Sequence, residues 1–317
     1  MTRSPLVIST SDMLHELLPV VERSLDRHLA STSEWFPHEY VPYEKGRNYI
    51  EEPWLPSDSA LPDIAQTALE VNLLTEDNLP YYHLSLWRTF GEDEAWGEWV
   101  RRWTAEEGRH AIVLRDYLTV TRGIDPKVLE RGRMEQVLRG WYPAFATQGL
   151  LDGVVFTTIQ ELATRISHRN TGAITDDPTA ERLCSRVATY ENLHYVFYRD
   201  MAINAIELDP SAMVLAMRRQ ILNFDMPGSA MEGFKEKARA MADAGIYNLR
   251  IHHDQVLRPI LEKHWRLGEL ENLSEEAKQA REDVYEYMER LVKIADKRGE
   301  LLGPTKGDLS DDPAGIP

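Results

Sequence analysis

Two tetrapeptides in this 317-residue chain pair a carboxylate with an imidazole at one spacing: Glu107-Gly-Arg-His110 and Glu191-Asn-Leu-His194. Both fall in segments with helical apolar periodicity. At about 3.6 residues per turn, positions three apart share a helix face. Each pair can therefore present an oxygen and a nitrogen to the same metal ion. That donor set suits iron, manganese or zinc, and not calcium. One Glu-x-x-His carries little, because a surface glutamate beside a hydrogen-bonded histidine reads the same way. Two copies, each preceded by a further glutamate, carry more.

Those glutamates are Glu76, 31 residues before Glu107, and Glu161, 30 residues before Glu191. The distance is that of one helix, a turn and the next helix, used twice. Glu161 lies 51 positions after His110, which leaves room for a long crossover. One Glu from each of two helices, with Glu-x-x-His from each of two others, is the ligand set of di-iron carboxylate bundles. Glu161 lies in a stretch with few other charges (Thr157 to Thr164), and a buried charge there calls for a metal or a partner. Asp77 competes with Glu76, since a rotation of about 100° exchanges them. Leu69, Leu73 and Leu79 share a face better with Glu76, which is preferred. Pro80 removes the donor to the Glu76 carbonyl and predicts a kink beside this ligand.

Helices must position these residues. Apolar spacing predicts them over 11–30, 63–90, 93–122, 147–171, 179–207, 210–223, 229–243, 247–267 and 274–300. Ser11 and Ser274 are the expected N-caps of the first and last. Residues 31–62, rich in Pro, Trp and Tyr, read as a loop over the body. Residues 123–146, punctuated by Gly and Pro, read as the crossover, and 172–178 as a break. Strand signals are nearly absent. The expected fold is all-α, a four-helix bundle core with additional helices in one domain (1–300), followed by a flexible tail (301–317).

Composition narrows the function. Lys plus Arg number 36 against 52 Asp plus Glu, a formal charge of −16, which argues against nucleic-acid binding. No apolar run is long enough for a transmembrane helix. The first residues lack the apolar stretch of a targeting peptide, so a cytoplasmic protein is expected. A single cysteine, Cys184, excludes an internal disulfide and a Cys-built metal site.

Around the ligand candidates the sequence resembles the soluble acyl-acyl-carrier-protein desaturases, in particular their actinobacterial branch. The matching stretches are Thr75-Glu-Asp-Asn-Leu-Pro80, Trp103-Thr-Ala-Glu-Glu-Gly-Arg-His110, Gln160-Glu-Leu-Ala-Thr-Arg-Ile-Ser-His168 and Glu191-Asn-Leu-His194. The similarity runs from about residue 12 to residue 270. It implies a ferritin-like bundle, a homodimer and two iron ions per subunit, with manganese an alternative. The ligands it implies are Glu76, Glu107, His110, Glu161, Glu191 and His194. It also implies O2-dependent insertion of a cis double bond into a saturated acyl chain on acyl carrier protein, with electrons from a ferredoxin-type donor. An unactivated C–H bond has no acid–base handle, so such chemistry needs a metal-based oxidant.

The resemblance further implies roles for Thr164, in oxygen handling or proton delivery, and for Trp103, near an electron path. The plain alternatives are a hydroxyl bonded to the preceding turn and a packed aromatic. His168 reads as a hydrogen-bonding neighbour of Glu161 rather than a ligand. His252-His253-Asp254 is a weak metal candidate, since consecutive residues diverge on a helix. The chain also departs from the family pattern. Tyr190 replaces an Asp that in many relatives precedes the second motif, so any connection from that Asp to the Trp103 position is made differently. Tyr81, His83, Trp87 and Arg88 are large or polar where relatives line an acyl channel.

A di-iron hydroxylase or N-oxygenase is the nearest rival reading, and a metal-free helical scaffold is the non-enzyme one. A ribonucleotide reductase small subunit would carry a tyrosine one turn beyond His110, where this chain has Leu114. A ferritin-type store would end near residue 207. Carrier proteins are acidic, so a local basic patch is expected at the channel mouth, with Arg218 and Arg219 as candidates.

Overall fold

The computed structural model describes residues 9–304. Helix α1 (Thr10–Ser31) is capped by Ser9 rather than Ser11: the Ser9 hydroxyl accepts from the Asp12 amide. Residues 32–62 strap along the bundle through three short 3₁₀ turns. Tyr49 and Trp54 donate to the carbonyls of Thr119 and Arg122, which ties this strap to the end of α4 (Glu94–Val120).

The segment expected as one helix over 63–90 is two, α2 (Asp63–Glu76) and α3 (Leu79–Phe90). The break falls at Asp77 and Asn78. Pro80 supplies no amide to the Glu76 carbonyl, and the amides of Tyr81 and Tyr82 both turn to the Asn78 carbonyl. The kink expected from Pro80 is thus a full interruption directly after Glu76.

The crossover contains a helix that the sequence reading missed, α5 (Pro126–Arg139). Asp125 caps it and Pro126 sits at its first position. Next come α6 (Leu150–Ala173), α7 (Pro178–Leu208) and α8 (Pro210–Leu222). They are followed by α9 (Phe234–Asp243) and the single turn α10 (Leu249–Ile251), which runs on as π-helical turns over His252–Leu257 and Pro259–His264. The final helix, α11 (Glu275–Arg298), is capped by Ser274 as expected. No strand occurs among the described residues.

Helices α2, α4, α7 and α6 pack in a ring, each touching the next, and form the four-helix core of a ferritin-like all-α fold. Helix α1 lies against α7 and α4, while α8 packs on α6 and α11. The α6–α7 approach is close enough to require Gly172, where a Cβ would stand 2.9 Å from the Cys184 Cβ. Helix α6 is buried on almost every face, yet it carries Asp152, Gln160, Glu161, Thr164 and His168. A central helix this polar needs partners for each group. Residues 301 and 302 accept hydrogen bonds from Asn248 and Gln255. Residues 305–317 of the expected tail lie outside the described ones.

Candidate metal centre

The four core helices converge on six buried side chains. Glu76, Glu107, His110 and Glu191 bring one donor atom each within 4.8 Å of one another. Glu107, Glu161, Glu191 and His194 do the same. The two groups share Glu107 and Glu191. The arrangement could therefore hold two adjacent metal ions, with Glu107 and Glu191 common to both groups and one histidine in each.

Both imidazoles aim Nδ1 inward. His110 Nδ1 lies 3.1 Å from Glu107 Oε2 and 3.1 Å from Glu191 Oε1. His194 Nδ1 lies 2.8 Å from Glu107 Oε1 and 3.5 Å from Glu161 Oε2. Four inward atoms, Glu107 Oε1, Glu161 Oε2, Glu191 Oε1 and His194 Nδ1, are buried without a hydrogen bond. Their near neighbours are other members of the cluster, and buried polar atoms crowded together without hydrogen bonds are costly. These four are of the types that ligate iron or manganese, so the residues fit a dinuclear metal group.

The electrostatics point the same way. Burial, then the neighbouring Glu107 and Glu191 carboxylates, push Glu76 well above the usual carboxylate range. Burial and Glu191 do the same to Glu161, against the opposing pull of His194. Burial alone would lower His110, but Glu107 and Glu191 raise it to about 9. His194 is likewise raised, by Glu106, Glu107 and Glu161. Burial would raise Glu107, but His110 and His194 hold it below its ordinary range. Protons thus offset the crowded carboxylates where divalent cations would do so more directly.

Asp77, the competitor of Glu76, faces away and takes a two-pronged contact from Arg133 on α5, at 2.7 and 2.9 Å. Leu114 is a core residue. His252 pairs with Tyr247, and His253 with Asp254. Neither histidine joins a metal-ligating group.

The surrounding shell is specific. Trp103 Nε1 donates to Glu161 Oε1 at 3.0 Å. Thr164 Oγ1 lies 2.8 Å from Glu191 Oε2 and 3.0 Å from the carbonyls of both Gln160 and Glu161. Both sequence readings of Thr164 are therefore present, and its one proton serves one of these oxygens at a time. His168 Nε2 lies 3.0 Å from Glu76 Oε1, so it steadies Glu76 rather than Glu161. Burial lowers His168 to about 4, which keeps it neutral and makes Nε2–H the donor.

Three contributors were not read from the sequence. Glu106, next to Glu107, accepts from His194 Nε2 at 3.0 Å, and His28 from α1 joins the same oxygen at 2.9 Å. The tryptophan beside Tyr190 and His110 is Trp35 from the strap, not Trp103. A doubled Glu106-Glu107 in the motif was the one local signal of the first.

A cavity of about 80 Å³ adjoins the centre, lined in part by Glu76, Thr164, His168, Met226, Phe234 and Met241. Tyr81, His83, Trp87 and Arg88 do not line it. Tyr81 bonds the Val137 carbonyl, His83 pairs with Thr104, and Arg88 is exposed. Tyr82, between Tyr81 and His83, turns inward and donates to Gln160 at 2.7 Å. The expected basic patch is not at Arg218 and Arg219. Arg218 is paired with Asp283, and Arg219 with Asp152 at 2.6 Å. Each charge is met by a carboxylate from a neighbouring helix.

Among the described residues, no helix is long and apolar enough to cross a membrane. A family model described as fatty acid desaturase matches residues 9–306. The chain is 45% identical over 294 residues to the protein of Mycobacterium tuberculosis named as acyl-[acyl-carrier-protein] desaturase DesA1, covering 90% of this chain and 87% of that one. It is 30% identical over 294 residues to the chloroplastic stearoyl-[acyl-carrier-protein] 9-desaturase 6 of Arabidopsis thaliana, covering 86% of this chain and 74% of that one. The X-ray structure of DesA2 from Mycobacterium tuberculosis, titled as an acyl-ACP desaturase, superposes with a TM-score of 0.68 at 28% identity, covering 84% of this chain and 98% of that one. The chain belongs to the fatty acid desaturase family.

Proposed function

We propose that this protein is an O2-dependent desaturase that introduces a cis double bond into a saturated acyl chain carried as a thioester on acyl carrier protein. The observation that carries the reading is the pair of metal-ligating groups sharing Glu107 and Glu191, with a cavity reaching Glu76 and Thr164. Glu76, Glu107, His110 and Glu191 are the proposed ligands of one ion, and Glu107, Glu161, Glu191 and His194 those of the other. Iron as the metal, a ferredoxin-type electron donor and a homodimer follow from the family resemblance. Two iron ions would supply the O2 activation that removal of hydrogen from an unactivated carbon demands.

The chain's own residues do the rest. Trp103 fixes Glu161, and His168 fixes Glu76, so the carboxylates keep their aim. Thr164 holds a proton between Glu191 and the cavity. Met226, Phe234 and Met241 present apolar surface to the substrate and limit water. At about 80 Å³ the cavity is smaller than the roughly 150 Å³ that accepts benzene. A long acyl chain therefore has to displace side chains on α9. That helix also carries Lys235 and Arg239, both exposed, which suit an acidic carrier.

The test incubates the protein with reduced ferredoxin, O2 and acyl-carrier proteins of several chain lengths, followed by mass spectrometry of the acyl group. Loss of two hydrogens is expected. A product heavier by one oxygen, with no unsaturation, would move the assignment to a hydroxylase. Glu107→Ala with His110→Ala should remove bound iron, and unchanged iron content would defeat the dinuclear reading.

A further inference from the structure

The two imidazoles of the centre are held differently. His194 Nε2 lies 3.0 Å from Glu106 Oε2. Glu106 is 1% exposed, shares that oxygen with His28 Nε2, and takes Arg102 on its other oxygen. The ring of His194 is thereby locked from behind by a carboxylate that is itself held on both sides.

His110 has no such support. Its Nε2 is buried without a hydrogen bond. Trp35 lies nearly parallel to its ring at 6.4 Å between centroids, and Tyr190 stands edge-on at 6.3 Å. Trp35 Nε1 is a donor, also buried without an acceptor, so it cannot take the His110 proton. The Tyr190 hydroxyl is committed to the Ser33 carbonyl.

The difference has a chemical consequence. An imidazole that ligates through Nδ1 keeps its proton on Nε2. A carboxylate receiving that proton fixes the tautomer, orients the ring and makes the ligating nitrogen more basic. Glu106 does this for His194, and among the described residues no group does it for His110.

We infer that the two metal positions are unequal: the ion at His194 is the tighter and fills first, and the ion at His110 is the weaker and exchangeable one. Glu106, His28 and Arg102 are positioning residues for the tight ion. This rests on the dinuclear reading proposed above.

The test titrates metal-free full-length chain anaerobically with Fe(II) by calorimetry, and with Co(II) by visible absorption. Two steps are expected. Glu106→Gln should lower the tighter constant by about 10- to 100-fold and the weaker one by less. Tyr190→Asp or Tyr190→Glu, which places a carboxylate where the phenol ring faces His110, should tighten the weaker step. Tyr190→Phe should change neither. Equal losses at both steps in Glu106→Gln would overturn the inference. So would a weaker step that neither Tyr190→Asp nor Tyr190→Glu tightens, a result that decides the matter even if Glu106→Gln does not fold. Failure of the unmodified chain to bind any metal would instead overturn the dinuclear reading itself.

Discussion

Thr164 meets Glu191 across the seam between α6 and α7, its hydroxyl 2.8 Å from Oε2 of a carboxylate common to both ligand groups. The same threonine lines the cavity. Its hydroxyl stands between a shared carboxylate and the space proposed for the substrate.

Replacing Thr164 with Val keeps the shape and removes the proton. A hydrogen bond to a charged group is worth about 1.5–3 kcal/mol, and its loss in the transition state slows turnover by roughly 10- to 100-fold. We expect product formed per O2 consumed to fall while metal content stays constant. An unchanged yield per O2 would show that Thr164 only bonds its own helix.

Metal affinity should rise with pH. In the metal-free chain Glu76, Glu161 and His194 are raised well above their usual ranges, and His110 is raised to about 9. His110, raised to about 9, keeps its proton at neutral pH, and a ligand must lose that proton to bind. Binding of two ions should therefore release protons, that of His110 among them, and affinity should weaken as pH falls below about 9. Calorimetry in buffers of different ionisation enthalpy reads the release directly. Flat affinity between pH 6 and pH 9 would contradict it.

Arg133→Ala should destabilise the protein by about 1–3 kcal/mol, because it leaves the Asp77 carboxylate poorly solvated without its two-pronged partner. Asp77 directly follows Glu76, so metal affinity should fall as well. Thermal melting with and without metal separates the two effects. A melting temperature equal to that of the unmodified chain would show that the pair contributes nothing.

Lys235→Glu with Arg239→Glu should raise KM for the acyl-carrier substrate and leave kcat at saturation unchanged. It should also flatten the salt dependence of kcat/KM. An unaltered salt profile would place carrier docking elsewhere.

The cluster of six side chains was legible because Glu-x-x-His is a local pattern and helix geometry alone puts both groups on one face. The choice of Glu76 over Asp77 was legible for a related reason: Leu69 and Leu73 marked the inward face of α2, and both are buried. The residues that were missed come from distant chain positions. His28 reaches Glu106 across 78 positions, and no periodicity in α1 marks it as different from any buried histidine. Trp35 approaches His110 from a loop whose path is set by tertiary packing. Arg218 and Arg219 looked like a free pair because their partners, Asp283 and Asp152, lie 65 and 67 residues away. Helix α5 was hidden by Gly132 and by weak apolar periodicity, although Asp125-Pro126 is a good helix start.

The interruption after Glu76 has one more effect. Because α2 stops there, the Glu76 carbonyl receives no amide from Pro80, and the negative pole of the helix falls at the residue whose carboxylate joins the cluster. A negative pole repels Glu76 but attracts a cation. Occupation of the neighbouring position would complete the end of α2 much as a positive side chain caps an ordinary helix. Metal loading should then slow amide hydrogen exchange in the last turn of α2, the turn that carries Glu76.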